Sequence, residues 1–199
     1  LPADLAALVP VALAFAVLAS VLAEREFEAE LGQRLSTAAS LVAAQYGSEA
    51  NAARIARLAP DSNATIARLR DGLTAARDAG DLRRIRLVSP ALETFVDTAG
   101  PQEVEADASF RVAFDLGGDQ VDIREVIASR SPSASVRFYA EDGTPLKRGY
   151  APIEHEGEVV AVVVTEGSVA WFARLHRLRG ALLGASVFAL LVVTLVTSL

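Results

Sequence analysis

Two long apolar segments, one at each end of the chain, constrain this sequence more than any other feature. Residues 5–23 and residues 180–199 contain no charged side chain. As helices they would be about 28 to 30 Å long, which is close to the hydrocarbon thickness of a bilayer. The sequence therefore predicts transmembrane helices over 1–23 and 180–199, with a domain of residues 24–179 between them.

Each apolar segment has an alternative interpretation. Residues 21–23 would serve as a signal-peptidase site, so the first segment could be a cleaved signal peptide. The second segment could be a buried core helix, although it has no polar face. Arg174, Arg177 and Arg179 precede the second segment, but the positive-inside rule applies to loops below about 60 residues. Charge alone therefore leaves the membrane orientation open.

Composition excludes several classes of function. The chain has no cysteine, which excludes disulfides, thiolate zinc sites and a cysteine nucleophile. Its net charge of −6 disfavours nucleic acid as a partner, since such binding needs clustered positive charge. The two histidines are not spaced for a metal site, and no phosphate loop or nucleophile elbow is present. We expect no enzymatic activity, cofactor or metal within this chain.

The first part of the middle domain has a helical pattern. Apolar residues at steps of three and four, among them Phe27, Leu31 and Leu35, follow the first apolar segment, and no Gly or Pro lies where the two join. The pattern predicts one unbroken helix that ends near Tyr46. A second helix is predicted over 51–58, and a third begins after the capping residues 61–63 and ends at 79–81.

After Gly80 the pattern changes to that of short strands. Two strands are predicted on either side of Ser89 and Pro90, and a helix over 119–129. Further strands are predicted over 135–139, 145–153 and 158–165, with a turn at 154–157 and a weaker strand at 110–116. The valine-rich strand 158–165 is typical of a central strand buried on both faces. A last helix leads from Val169 into the second apolar segment, so the fold class is α+β.

One face of the predicted sheet carries cationic and phenolic side chains. Alternation places Arg137 and Tyr139 on one face, with Lys147 and Tyr150 across the hairpin. Cations beside phenols could hold a small anion such as a carboxylate through charge-assisted hydrogen bonds. The alternative is a polar, solvent-facing sheet surface.

Several segments resemble a known family. They are Arg-Ile-Arg-Leu-Val at 84–88, Phe-Val-Asp-Thr at 95–98, Asp-Gly at 142–143, Lys-Arg-Gly-Tyr-Ala-Pro-Ile at 147–153 and Gly-Glu-Val-Val-Ala-Val-Val-Val at 157–164. Together they resemble the PAS-like, CACHE-type extracytoplasmic sensor domain of bacterial membrane-bound histidine kinases. The resemblance implies a periplasmic domain, a homodimer formed through the first helix, and a HAMP linker and kinase core after the second span. By position it implies ligand contacts from Arg137, Tyr139, Lys147, Tyr150 and Asp97.

The predicted function is signal input. The chain is expected to be the ligand- or environment-sensing region of a sensor histidine kinase in the bacterial inner membrane. Residues 24–179 would be extracytoplasmic and would relay a signal across the membrane by helix movement. A small molecule is the expected ligand, and the catalytic core of the kinase is not in this sequence. The alternative is a membrane-anchored structural or assembly protein whose middle domain binds a protein partner.

Overall fold

A computed structural model describes residues 3–57, 63–99, 117–139 and 145–167, together with positions 180, 181 and 184. In the first helix, side chains are described for residues 17–19 and from residue 21 onward. The chain divides into two compact units, Glu30–Val169 and a second made of Leu1–Ala29 with Ala170–Leu199. The predicted strand at 110–116, the helix after Val169 and almost all of the second apolar segment lie outside the described residues.

Three helices precede the sheet: α1 (Ala3–Tyr46), α2 (Glu49–Ala56) and α3 (Asn63–Ala79). The predicted continuity of α1 is confirmed, because it runs unbroken from the first apolar segment to Tyr46. Leu31, Leu35 and Val42 are buried at the spacing of one helical face. Among the residues whose side chains are described, no helix has both the length and the apolar composition to cross a membrane. The predicted spans therefore stay predictions.

The remaining elements form an antiparallel sheet with one helix against it. In chain order they are β1 (Leu82–Val88), β2 (Thr94–Asp97), α4 (Gly117–Ser129), β3 (Ser133–Ala134), β4 (Phe138–Tyr139), β5 (Pro145–Leu146), β6 (Arg148–His155) and β7 (Glu158–Gly167). Five strands make one sheet in the order β2-β1-β7-β6-β3, and β4 pairs with β5 separately. The α+β class with a long N-terminal helix and an antiparallel sheet is confirmed. The valine-rich strand is indeed central, and its residues from Ala161 to Gly167 are buried.

Two predicted strands are broken in the structure. The prediction of one strand over 135–139 is wrong, because β3 ends at Ala134 and β4 begins only at Phe138. The Ser135 hydroxyl accepts the Arg148 backbone N–H at 2.9 Å, while the Ser135 N–H donates to the Arg148 carbonyl at 2.9 Å. The Ser135 side chain thus takes the place of the next backbone hydrogen bond between the strands, and the chain leaves the sheet. The strand predicted over 145–153 is likewise interrupted at Lys147.

The turn between β6 and β7 is shorter than the sequence suggested. His155 still pairs with Glu158 across the hairpin, so only two residues connect the strands. Glu156 and Gly157 both have positive φ, at 52° and 82°. This is the conformation that tight two-residue hairpins favour, because its twist matches that of the strands.

Helix α1 lies unusually close to one face of the sheet. A Cβ atom on Gly149 of β6 would stand 2.2 Å from the carbonyl carbon of Leu35, so only glycine fits at this position. The neighbouring Thr165 hydroxyl on β7 donates a buried hydrogen bond to the Leu35 carbonyl at 3.0 Å. Strands β6 and β7 are thus fixed directly to the backbone of α1.

Candidate ligand site

The opposite face of the sheet carries two transverse rows of residues. In the first row, Arg84 of β1, Glu166 of β7 and Arg148 of β6 are register partners. In the next row, Arg86 and Tyr150 lie on either side of Val164. Arg84, Arg86, Arg148 and Glu166 are all buried. Buried charges are tolerated only where partners compensate for the lost hydration, so their partners define the site.

Asp119, in the first turn of α4, is the acceptor at the centre of this face. Its carboxylate accepts from Arg86 Nη2 at 2.7 Å and from Arg148 Nη1 at 2.7 Å, both at Oδ2. The Tyr150 hydroxyl donates to the other oxygen at 2.7 Å. Only 7% of the Asp119 side chain is exposed. Three donors therefore hold this carboxylate in one orientation.

The environment of Asp119 keeps it ionised. Burial raises the pKa of this carboxyl, but the guanidinium groups of Arg86 and Arg148 and the hydrogen bonds to it outweigh burial, so the net shift is downward. Burial, together with the charge of Asp119, raises the pKa of the Tyr150 phenol. Tyr150 therefore remains protonated at neutral pH and serves as a hydrogen-bond donor.

Arg148 joins Asp119 to a second acid. Its Nε donates to Glu166 at 3.0 Å, and Glu166 also accepts from Arg83 Nη1 at 3.0 Å. The Phe138 ring lies over the guanidinium, 4.6 Å from its central carbon to the ring centre. A planar guanidinium with two carboxylates and an aromatic face is held rigidly.

A separate pair lies at the β1–β2 edge. Arg84 donates two parallel hydrogen bonds to Asp97, one of them from Nε at 2.8 Å. The Ala99 N–H also donates to Asp97, at 2.9 Å. Burial raises the pKa of Asp97, but the hydrogen bonds from Arg84 and Ala99 and the nearby positive charge lower it overall. Both members of this pair are therefore charged at neutral pH.

A cavity of about 380 Å³ opens beside these ion pairs. Its polar lining includes three arginines and two aspartates, and the rest is apolar or uncharged: Arg70, Arg84, Arg86, Asp97, Asp119, Thr94, Gln120, Val88, Leu92, Phe95 and Ile123. The lining charges sum to one excess positive charge when all five are ionised.

The lining changes from charged to apolar along the cavity. On β1, Arg84 and Arg86 are followed on the same face by Val88, about 13 Å from Arg84 at the rise of a strand. On α4, Asp119 is followed one turn later by Ile123, which packs in one cluster with Val88. The pairing of β1 with β2 agrees with this gradient. The charged Asp97 is the register partner of Arg86, and the uncharged Thr94 is the register partner of Val88.

The five residues predicted from the sequence lie in four places. Asp97 lines the cavity, and Tyr150 is buried behind Asp119. Lys147 is buried toward α1, where its Cε would lie 3.0 Å from a Cβ on Gly32. Lys147 and Tyr150 are an odd number of residues apart, which places them on opposite faces of an extended chain.

The other two predicted residues lie together but away from the cavity. The Arg137 guanidinium is 5.8 Å from the centre of the Tyr139 ring, and Tyr139 is 59% exposed. Neither residue lines the cavity. The structure thus does not bring the five residues into one site.

Sequence reasoning did not predict Arg70, Arg84, Arg86 or Asp119 as residues of the ligand site. A signal for two of them was present. Arg84 and Arg86 alternate with apolar residues in a short strand, and alternation places them on one face. No single sequence shows which helix supplies the carboxylate opposite them.

No family model and no curated protein matches the chain. Among solved structures it is similar to the sensor domain of the V. cholerae histidine kinase DctB, with 13% identity, a TM-score of 0.48, and coverage of 79% of this chain and 54% of the other. An extracellular ligand-binding receptor from Desulfohalobium retbaense shows 13% identity and a TM-score of 0.49, covering 76% of this chain and 25% of that one. The ligand-binding domain of the Pseudomonas aeruginosa amino acid chemoreceptor PctC, in complex with GABA, shows 16% identity and a TM-score of 0.40, with 73% and 68% covered.

These three neighbours are sensor or ligand-binding domains of a histidine kinase, a receptor and a chemoreceptor. The chain spans about half the length of the first and a quarter of the second.

Proposed function

We propose that this chain is the signal-input region of a membrane-bound sensor protein, and that the cavity beside β1, β2 and α4 holds its ligand. The ligand is a small anion such as a carboxylate. The observation that carries this proposal is the excess of arginine over aspartate in a partly apolar cavity. Arginine binds carboxylates through short, charge-assisted hydrogen bonds, and apolar walls strengthen them by excluding water.

The arginines differ in how they are held. Asp97 and Asp119 fix the guanidinium groups of Arg84 and Arg86, so these two are oriented before any ligand arrives. Arg70 on α3 is exposed and, within the described part of the chain, has no hydrogen-bond or ion-pair partner. Its charge is therefore available to a ligand without the loss of a contact inside the protein.

The relay to the membrane is part of the same proposal. Glu166 of β7 belongs to the ion network, and the preceding residue, Thr165, donates a hydrogen bond to the Leu35 carbonyl of α1. A ligand that favours one arrangement of the network would therefore shift α1 by about 1–2 Å, the size of known helix switches.

We propose that α1 also forms a homodimer contact. The proposed parent protein is a histidine kinase in the bacterial inner membrane, with residues 24–179 extracytoplasmic and the catalytic core outside this chain.

The proposal is tested by substituting Arg70 and a matched neighbour on the same helix. Loss of a charge-assisted hydrogen bond costs about 1.5 kcal/mol, so Arg70→Gln should weaken carboxylate binding roughly tenfold. Arg68→Gln removes another exposed arginine of α3, one that does not line the cavity. It should leave the affinity unchanged.

The measurement is calorimetric titration of the full chain in detergent with a panel of small carboxylates. Equal affinities of the two variants, or a panel without any binding to the unaltered chain, would contradict the proposed site. In the latter case a domain that binds a protein partner becomes the better account.

A further inference from the structure

Leu92, in the loop between β1 and β2, has an unusual backbone conformation. Its φ is 69°, in the left-handed region, where a side chain with a Cβ meets steric resistance. Among the described residues the other non-glycine positions with positive φ are Asp81, Arg130 and Glu156, all of them polar. An apolar residue therefore occupies a position where glycine or asparagine would be accommodated more easily.

The loop is built to hold this conformation. The Ser89 N–H donates to the Glu93 carbonyl at 2.8 Å, and the Leu92 N–H donates to the Ser89 carbonyl at 2.9 Å. The Ser89 hydroxyl accepts the Glu93 N–H at 3.0 Å. Three hydrogen bonds thus oppose relaxation of Leu92, which is how strained residues persist at functional sites.

The strained conformation places the Leu92 side chain in the lining of the cavity. The side chain packs against the cluster that contains Val88 and Ile123, at the apolar end of the charge gradient. At the rise of a strand, Val88 lies about 7 Å beyond Arg86 along β1. A ligand whose charged group meets Arg84 and Arg86 would therefore direct its other end toward Leu92.

We propose that Leu92 is a specificity-determining residue that limits the length of the apolar part of the ligand. This inference rests on the proposed function, since it assumes that an anion binds at the arginine end. A smaller side chain at position 92 leaves a longer space for the ligand beyond Val88, and a larger side chain leaves a shorter one. The charged end of the cavity is not altered by either change.

The experiment compares straight-chain carboxylates from acetate to hexanoate, titrated into the full chain in detergent. For the unaltered chain, affinity should rise about fourfold with each buried methylene and then fall once the ligand reaches Leu92. Leu92→Ala should move the optimum to a longer carboxylate, and Leu92→Phe to a shorter one. Leu92→Gly should act like Leu92→Ala while relieving the backbone strain, which keeps the test valid if the alanine variant folds poorly.

Arg130→Ala is the matched control, because Arg130 has a positive φ of 52° but does not line the cavity. It should leave the preferred chain length unchanged. If carboxylates bind but both Leu92→Ala and Leu92→Gly keep the original optimum, the role of Leu92 is overturned and the proposed function stands. If no carboxylate binds the unaltered chain, both are overturned.

Discussion

At the scale of single residues, each buried charge of the network is compensated by a buried charge of the opposite sign. Arg86 and Arg148 lie under α4 and would be costly there without Asp119, which accepts from both. Burial alone raises the pKa of Asp119, and the two arginines favour its charged form and more than offset this effect. The network therefore fixes the position of α4 over the sheet and, with it, one wall of the cavity.

Asp119→Asn should reveal this dependence. The substitution leaves two buried guanidinium groups with less compensation, so the free energy of unfolding should fall by about 3 kcal/mol at neutral pH. Because the folded-state pKa of Asp119 is lowered, its stabilising effect is present above the unfolded pKa of about 3.9 and is lost as the pH falls through the folded value. Urea unfolding of the full chain between about pH 3 and 7 should therefore show that the free energy of unfolding falls less steeply with decreasing pH in the variant than in the unaltered chain.

The control for this prediction is Asp71→Asn, which removes an exposed aspartate on α3. It should change the free energy of unfolding by less than about 0.5 kcal/mol. An Asp119→Asn variant with the stability and pH slope of the unaltered chain would show that the network does not hold α4.

The candidate site was only partly predictable at this scale. Asp97 was singled out only because the resemblance to a sensor family implied it, and Tyr150 because it is a phenol in a predicted strand beside cationic residues. The prediction of Arg84 and Arg86 as site residues would have required a further fact, namely that β1 is the second strand of the sheet and faces α4. Contacts between residues far apart in sequence, such as Arg86 and Asp119, leave no local pattern.

At the scale of elements, local sequence patterns predicted most of the helices and strands. The continuity of α1 through Tyr46, the end of α3 at Ala79 and the valine-rich β7 all followed from local patterns. These patterns persist because the hydrophobic effect acts on every turn or pleat separately. Helix α4 was also predicted, although it begins two residues earlier than expected, at Gly117.

Breaks within elements were not predictable from local patterns. The chain leaves the sheet after Ser135 because that residue exchanges hydrogen bonds with Arg148, a distant partner. Lys147 interrupts the next strand, and its carbonyl accepts the Gly167 N–H. Each break depends on tertiary hydrogen bonds, which override a strand pattern only a few residues long.

The close contact between the sheet and α1 is a further property of elements that the sequence did not reveal. In the sequence, Gly149 is a residue that would weaken a strand, but in the structure it allows the backbone of β6 to pack against the backbone of Leu35. Thr165 reads as an ordinary strand residue, yet its hydroxyl bonds to the same Leu35 carbonyl. This contact is the mechanical basis of the proposed relay.

At the scale of the whole molecule, the proposal requires both apolar segments to lie in a bilayer. Reporter fusions to the chain, expressed in a bacterium, should place Leu1 and Leu199 on the cytoplasmic side. A reporter inserted at Ser48, between α1 and α2, should lie on the opposite side. Termini on opposite sides of the membrane would contradict the two-span arrangement and with it the relay through α1.

Photolabelling of the full chain in detergent shows whether a small anion binds in the cavity beside β1, β2 and α4. A short carboxylate with a diazirine at its apolar end is irradiated with the protein, and the labelled peptides are mapped by mass spectrometry. We expect label on residues 88–95 and 119–123 that excess unlabelled carboxylate displaces. Label on the exposed segment around Arg137 and Tyr139, or label that excess carboxylate does not displace, would contradict it.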